Sequence, residues 1–233
     1  MTYRHDSDIV HSYGSYMLRN SSTKRVNDQL VDFYSSPQTN QSTFDVKKEY
    51  HQRKNRILWF VSNCHAKTKR NQIAKRLGKL YPIEQFGKCS KSNRSADFEG
   101  LLFQYKFYLA FENSHCEDYI TEKVFYNSFA HGSIPLVLGP DKKNYERVLP
   151  PNSFIHVESY PKLNKLAQEL RLITEDLNIY SSYHQWRIDY RLIVRRSGYY
   201  IDHLFCDLCI KLHTDHTVKT YSNFSGWLNK CKR

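Results

Sequence analysis

The chain has 233 residues, 35 Lys and Arg against 23 Asp and Glu for a formal net charge of +12, and 40% hydrophobic residues. That apolar fraction supports a packed core in one large domain or one and a half ordinary ones, which excludes a disordered tail. No run of roughly 18 apolar residues occurs, and the first residues have the pattern of neither a signal peptide nor a membrane anchor. The excess positive charge fits nucleic acid, an anionic membrane surface or a small phosphorylated substrate, and does not by itself choose among them.

In chain order, residues 1–14 read as an extended or hinge segment. Residues 15–50 are rich in Ser, Asn, Gln and Lys, contain Pro37, and show periodicity only at Val26, Leu30, Val31 and Phe33; they predict a variable polar connection with one short helix. Residues 57–61 form a buried strand candidate. Residues 70–80 predict an amphipathic helix with Ile73, Leu77 and Leu80 on one face, and residues 83–86 a short second strand. Residues 107–111, 121–131 and 133–138 repeat the strand, helix, strand rhythm, which calls for a parallel sheet with right-handed crossovers. Residues 154–157 add a strand and residues 162–177 a helix with Leu163, Leu166, Leu170 and Ile173 inward; residues 181–195 and 200–213 predict terminal helices. The fold class expected is α/β, a Rossmann-like parallel sheet flanked by helices, over residues 51–200, with residues 201–233 as a helical tail.

The stretch 111–123, Phe-Glu-Asn-Ser-His-Cys-Glu-Asp-Tyr-Ile-Thr-Glu-Lys, is the most informative in the chain. Before it, residues 107–111 are continuously apolar, as in a strand buried on both faces. After it, Val124, Phe125, Ser128 and Phe129 recur at helical spacing. Thr121 is a good N-cap, and Ile120 and Phe125 stand where a hydrophobic staple needs them. A helix start offers free N–H groups and a positive dipole end to an anion. Lys123 in the first turn is unfavourable for the helix itself and makes sense with a phosphate in front of it. Asn63, Asn113 and Tyr119 fall beyond the carboxyl ends of strands, where open α/β sheets bind ligands.

The run Phe-Glu-Asn-Ser, the segment Tyr119-Ile120-Thr121-Glu122-Lys123 and residues 132–140, Gly-Ser-Ile-Pro-Leu-Val-Leu-Gly-Pro, closely resemble the signature of the α1,3-fucosyltransferases, glycosyltransferase family 10. Residues 3–9, Tyr-Arg-His-Asp-Ser-Asp-Ile, resemble a family segment that has Arg where His5 stands, and Ser12-Tyr13-Gly14 follows where Pro-Tyr-Gly is usual. Trp59-Phe60-Val61-Ser62-Asn63 with Arg70, and Phe205-Cys206-Asp207-Leu208-Cys209, agree as well. The resemblance implies the donor-binding half of a GT-B fold and transfer of L-fucose from GDP-fucose to N-acetylglucosamine of a glycan, α1,3-linked and with inversion. It assigns Arg70 and Lys123 to the pyrophosphate, where they would meet the charge that builds on the leaving group. It assigns Glu122 to ribose or sugar hydroxyls and Asn113 and Tyr119 to the donor; Ser62, Asn63, Tyr108 and Tyr13 align with donor-pocket positions. Glu112, Glu117 and Asp118 tempt one to an acid/base pair, but the resemblance places the base on the acceptor's side, in a region preceding residue 1.

On this reading residues 1–14 are the end of an acceptor-side domain, and the chain is a fragment that binds the donor while turning over poorly. The parent is expected at the Golgi cisterna membrane, lumenal side, held by an N-terminal anchor. GT-B chemistry implies no required metal, although Mn²⁺ can stimulate by helping product leave; Asp6-Ser7-Asp8 belongs to the hinge motif. Six cysteines and Asn-x-Ser/Thr sequons at Asn20, Asn40, Asn93 and Asn223 agree with a secretory lumen. The resemblance implies that Cys206 and Cys209 form disulfides, in several members with cysteines of the N-terminal domain; without those partners the pairings to consider are Cys206 to Cys209 or either to Cys231, while Cys64, Cys89 and Cys116 are free, buried or bridged. Other classes stay in view: a catalytically incompetent GDP-sugar-binding module; a nucleic-acid binder using Lys67, Lys69, Arg70, Lys75, Arg76 and Lys79, without any accompanying motif; and a zinc site at Cys206, Cys209, His213 and His216, whose spacing is too short for a finger.

Overall fold

The computed structural model describes residues 2–19, 44–66, 68–90, 97–195, 201–228 and 230–231. Its centre is a five-stranded parallel sheet of β2 (Lys54–Phe60), β3 (Ile83–Phe86), β4 (Tyr105–Phe111), β5 (Ile134–Leu138) and β6 (Ile155–His156), in the order β3-β2-β4-β5-β6. After β2 the chain runs to one side to make β3, then returns to the other to make β4. The crevice between β2 and β4 is therefore the topological switch point of the sheet, the place where such folds take ligands.

The continuous apolar run of β4 is explained by burial on both faces. Phe107, Leu109 and Phe111 join Ile57, Trp59, Leu136 and Leu138 in one core layer. That layer is covered by α2 (Arg70–Leu77) through Ala74 and Leu77, and by α6 (Leu163–Glu175) through Leu166, Leu170 and Ile173. Tyr108 and Ala110 point the other way, with Leu58 and Val137, into a second layer closed by α4 (Glu122–Phe125), Trp186 and Leu192. Fully burying side chains of the size of Phe125 or Val124 is worth about 1.5–3 kcal/mol each, so α4 is held by packing rather than by its single turn of helix.

The remaining elements frame this sheet. β1 (Gly14–Leu18) pairs antiparallel with β7 (Tyr190–Val194), Gly14 opposite Val194. α1 (Val46–Gln52) leads into β2, α3 (Phe98–Leu102) into β4, and α5 (Lys142–Val148) joins β5 to β6; α7 (Leu177–Ser182) and α8 (Trp186–Asp189) precede β7, and α9 (Ile201–Thr214) and α10 (Phe224–Leu228) follow it.

Two expectations need correction. The helix predicted over 121–131 is one turn, α4, followed by a 3-10 turn at Phe129–His131. Ser128 is the reason: its Oγ donates to the Lys123 carbonyl at 2.7 Å, and Asn127 N–H donates to the Glu122 carbonyl at 2.8 Å, which ends the regular ladder. The dipole argument for an anion is weakened accordingly. The helix predicted over 181–195 is replaced by the end of α7, the short α8 and strand β7, because a partner strand from near the N-terminus overrides local preference. The helix expected over 162–177 is present as α6 and ends at Glu175, where the Asp176 carboxylate caps α7 by accepting from Asn178 and Ile179 N–H. The short helix expected around Val26–Phe33 lies outside the described residues.

Candidate active site

A cleft of about 520 Å³ opens at the switch point, lined by Phe60, Val61, Ser62, Asn63, Arg70, Gly87, Phe98, Asn113, Glu122, Lys123 and Asn127. Much of the wall comes from chain segments leaving the sheet: Phe60 ends β2 and residues 61–63 follow it, Gly87 follows β3 and Asn113 follows β4. Gly87 has φ of +100°, and a Cβ there would stand 2.5 Å from the Val61 carbonyl oxygen, so only glycine lets the two loops close up. The Cys64–Cys89 disulfide ties the same two loops together, settling those cysteines as bridged.

Arg70, the first residue of α2, is 3% exposed. Its Nη1 donates to the Phe111 carbonyl at 2.9 Å and its Nη2 to the Asn63 carbonyl at 2.8 Å, while the buried Nε has no partner among the described residues. No carboxylate among the described residues forms an ion pair with it. Burial pulls its pKa below the ordinary value, with the nearby Glu112 charge acting in the other direction. A buried guanidinium with no carboxylate bonded to it among the described residues, facing a cleft, is suited to an anion.

Lys123 stands on the cleft wall and is held from behind. Its Nζ donates to Glu112 Oε2 at 2.9 Å, to Thr121 Oγ1 at 2.6 Å and to Glu122 Oε1 at 3.2 Å. Burial lowers the ammonium pKa, but Glu112 and then Glu122 outweigh it and hold the group above the usual lysine range. Thr121 takes the N-cap position, yet its hydroxyl serves Glu112 and Lys123 and caps no N–H.

Of the nine donor-site residues predicted, Ser62, Asn63, Arg70, Asn113, Glu122 and Lys123 meet at this cleft. Tyr108 is fully buried beneath it, its hydroxyl accepting from the Nδ2 of Asn127, and burial raises it to about 12. Tyr13 and Tyr119 are half-buried beside the wall. Burial raises both phenols; the Glu122 charge adds to the shift at Tyr13 and the Glu112 charge to that at Tyr119. Phe60, Val61, Phe98, Gly87 and Asn127 were not predicted as site residues. Gly87, a lone glycine just past a strand, carried a readable signal; the aromatic pair, with ring centroids 4.4 Å apart, did not.

Residues 3–8 lie against the loop that carries Tyr119. The Tyr3 and Tyr119 rings are 5.2 Å apart, edge to face. Arg4 is 1% exposed, bound to both oxygens of Asp6 at 2.8 and 2.7 Å and to Glu117 at 3.1 Å, with Trp227 5.0 Å away over its guanidinium. Asp118 holds the left-handed φ of 62°, its N–H donating to Asn144 and its carboxylate receiving His5 N–H and Arg147. His5, Asp6 and Asp118 bring ligand atoms within 4.8 Å of one another, but each carboxylate already faces a guanidinium, which opposes a dication.

The cysteine expectation is corrected. Cys231 bonds to Cys116, within the site loop, and Cys209 is free and exposed; the Cys206 side chain lies outside the described residues. The pairing could not be deduced from spacing. Cys209, His213 and His216 do not gather into a metal-ligand cluster among the described residues, and His213 instead bonds the Cys209 carbonyl at 2.7 Å. Of the six residues of the basic-stripe reading, Arg70 is turned into the cleft, Lys69, Lys75, Arg76 and Lys79 are exposed, and Lys67 lies outside the described residues. No described helix is long and apolar enough to cross a membrane.

Residues 50–227 match the family model described as glycosyltransferase family 10 (fucosyltransferase), C-terminal. The chain is 34% identical to glycoprotein 3-alpha-L-fucosyltransferase A of Drosophila melanogaster, over 97% of this chain and 42% of that protein, and 33% identical to alpha-(1,3)-fucosyltransferase C of the same organism, over 100% and 54%. It thus spans about half the length of the curated relatives it matches. A crystal structure of an alpha1,3-fucosyltransferase with GDP-fucose superposes with a TM-score of 0.55 at 17% identity, over 74% of this chain and 51% of that one, which shows a shared fold. The family-model match runs from before β2 into α10 and takes in the whole sheet and its cleft, and the chain belongs to glycosyltransferase family 10.

Proposed function

We propose that the cleft binds GDP-fucose and that the protein to which this chain belongs transfers L-fucose, with inversion, to N-acetylglucosamine of a glycan in α1,3 linkage. The observation that carries the reading is the pairing of Arg70, buried and without a carboxylate, with Lys123 on one cleft at the switch point. Two fixed cations there would receive the charge of a departing diphosphate without reorganisation, and such fixed charge is commonly the main source of rate enhancement. Exposed Glu122 and the neutral Asn113, Ser62 and Asn63 supply acceptors and donors for hydroxyls and base. In this reading the protein's own cations do the work of a bridging metal; a chelator leaves donor binding unchanged, and Mn²⁺ acts at most on product release. A Golgi lumenal location is part of the proposal, in keeping with the fucosyltransferase relatives and the two disulfides.

The test is calorimetric titration of GDP and GDP-fucose into this chain and into Lys123→Ala, beside a transfer assay. Micromolar GDP binding that Lys123→Ala weakens tenfold or more, about 1.4 kcal/mol, is the expected result. No measurable GDP binding by the wild-type chain would sink the reading.

A further inference from the structure

We propose that Glu112 is a positioning residue whose carboxylate fixes the Lys123 ammonium at the cleft wall from behind, leaving Glu122 as the partner that a diphosphate displaces. The inference rests on the diphosphate reading of the cleft. Glu112 is the residue immediately after β4, is 0% exposed, and does not line the cleft, whereas Lys123 does. Its oxygens receive Thr121 N–H at 2.8 Å, the Thr121 hydroxyl at 2.9 and 3.0 Å, and Lys123 at 2.9 Å. The N-cap and the second residue of the short turn that carries Lys123 are thereby tied to the residue that follows the central strand.

The two carboxylates on Lys123 are unequal. Glu112 has no solvent to turn to, and a buried carboxylate stripped of its cation costs several kcal/mol. The Glu122 side chain is 48% exposed and meets the ammonium at the longer distance of 3.2 Å. An incoming phosphate oxygen would therefore replace Glu122 and not Glu112. The exchange conserves the ammonium's three hydrogen bonds and releases Glu122 to accept from a hydroxyl of the ligand. Burial raises the Glu112 pKa, against the pull of Lys123 and Thr121, and a carboxylate so surrounded by donors stays paired with the ammonium. The other titratable or charged groups around Lys123 are Tyr108 from β4, Tyr119 from the site loop, Tyr13 from the segment before β1, and Arg70 from α2.

The experiment uses this chain with GDP as the probe and reads the Lys123 side chain separately by NMR, without ligand. In the wild type the Lys123 signal does not titrate below about pH 10. In Glu112→Gln, which keeps an oxygen for the Thr121 N–H but removes the charge, the titration midpoint falls by one pH unit or more. GDP affinity drops about tenfold near neutral pH, because only Glu122 is left to oppose the burial of the ammonium and to hold it in place. An unchanged Lys123 titration with GDP affinity within about twofold of wild type would overturn the proposal. A wild-type chain that ignores GDP removes the displacement step and the diphosphate reading with it, while the NMR titration still decides whether Glu112 holds Lys123. Should Glu112→Gln fail to fold, Glu112→Asp retains the charge but shortens its reach by one methylene; it weakens GDP without adding pH dependence, and wild-type affinity in that variant would count against the idea.

Discussion

The Nη1 of Arg70 donates to the carbonyl of Phe111 at 2.9 Å, so the residue that opens α2 is fixed by the last residue of β4. With the Nη2 bond to Asn63, the planar guanidinium bridges the ends of the two strands that flank the switch point. A lysine cannot reproduce that fork. Arg70→Lys is expected to weaken GDP binding at least tenfold and to lower stability by about 1–3 kcal/mol, from carbonyls left unpaired in a buried position. Calorimetry and a denaturant titration check both; GDP affinity at the wild-type level would remove Arg70 from the anion site.

The C-terminal segment is a structural part of the site loop. Cys116 bonds to Cys231 across 115 residues, Glu117 N–H donates to the Lys230 carbonyl at 2.9 Å, and Trp227 covers Arg4. The Cys231→Ser variant, measured in the absence of reductant so that Cys64–Cys89 stays closed, should lose about 2–4 kcal/mol of unfolding free energy. Its GDP affinity should fall as well, because Asn113 and Tyr119 flank the released cysteine. A variant with wild-type stability would show that the clasp constrains nothing.

Much of this arrangement was legible in the sequence because it is local. Residues 83–86 form a strand with those bounds, and the run from Phe107 to Phe111 has the uniform burial that its composition demanded. The six cleft residues that were foreseen sit just past strand ends, at the start of α2 or on the turn after β4, positions that a strand, helix, strand rhythm fixes. What stayed hidden depends on distant partners. The segment 190–194 carries an apolar pattern that suits either helix or strand, and Gly14–Leu18 decides for the strand. Glu112 reads as one acid among three near the motif; only the turn folding back over the end of β4 makes it the buried anchor of Lys123. Ser128 looks like a tolerable helix residue until its hydroxyl takes the Lys123 carbonyl and stops the helix after one turn.

Gly14 is required where the β1–β7 ribbon crosses α4. A Cβ at that position would lie 2.4 Å from the Phe125 ring and 2.8 Å from the Ile193 carbonyl oxygen. Phe125 belongs to the turn that carries Lys123, so pressure there is transmitted to the site. Gly14→Ala should cost about 1–3 kcal/mol by overpacking and should weaken GDP binding, whereas Ser15→Ala one residue on should leave both near wild type. Thermal melts of the two variants decide it; equal stability would mean that the ribbon sits looser on α4 than the close approach requires.

Lys106 tests the core independently of the site. It is 2% exposed on β4, donates to Asn55 Oδ1, and lies 4.2 Å from the Tyr50 ring and 5.7 Å from that of Tyr180, with no carboxylate bonded to it among the described residues. Burial pulls its pKa down to about 8. Between that value and the unfolded one near 10.4, the unfolded chain holds the proton and the folded chain does not, so stability contributed by this group rises with pH across that window. Below it both states are protonated and the penalty for burying the charge is at its full value, offset in part by the two aromatic faces. Lys106→Met removes the charge at similar length and should raise unfolding free energy by about 1–2 kcal/mol at neutral pH. The gain should shrink toward about pH 10, where the wild-type amine is already neutral in the folded state. Denaturant titrations of both proteins at neutral and alkaline pH check the sign; a gain that grows with pH would mean that the Lys106 ammonium is stabilised by its tyrosine cage rather than tolerated in it.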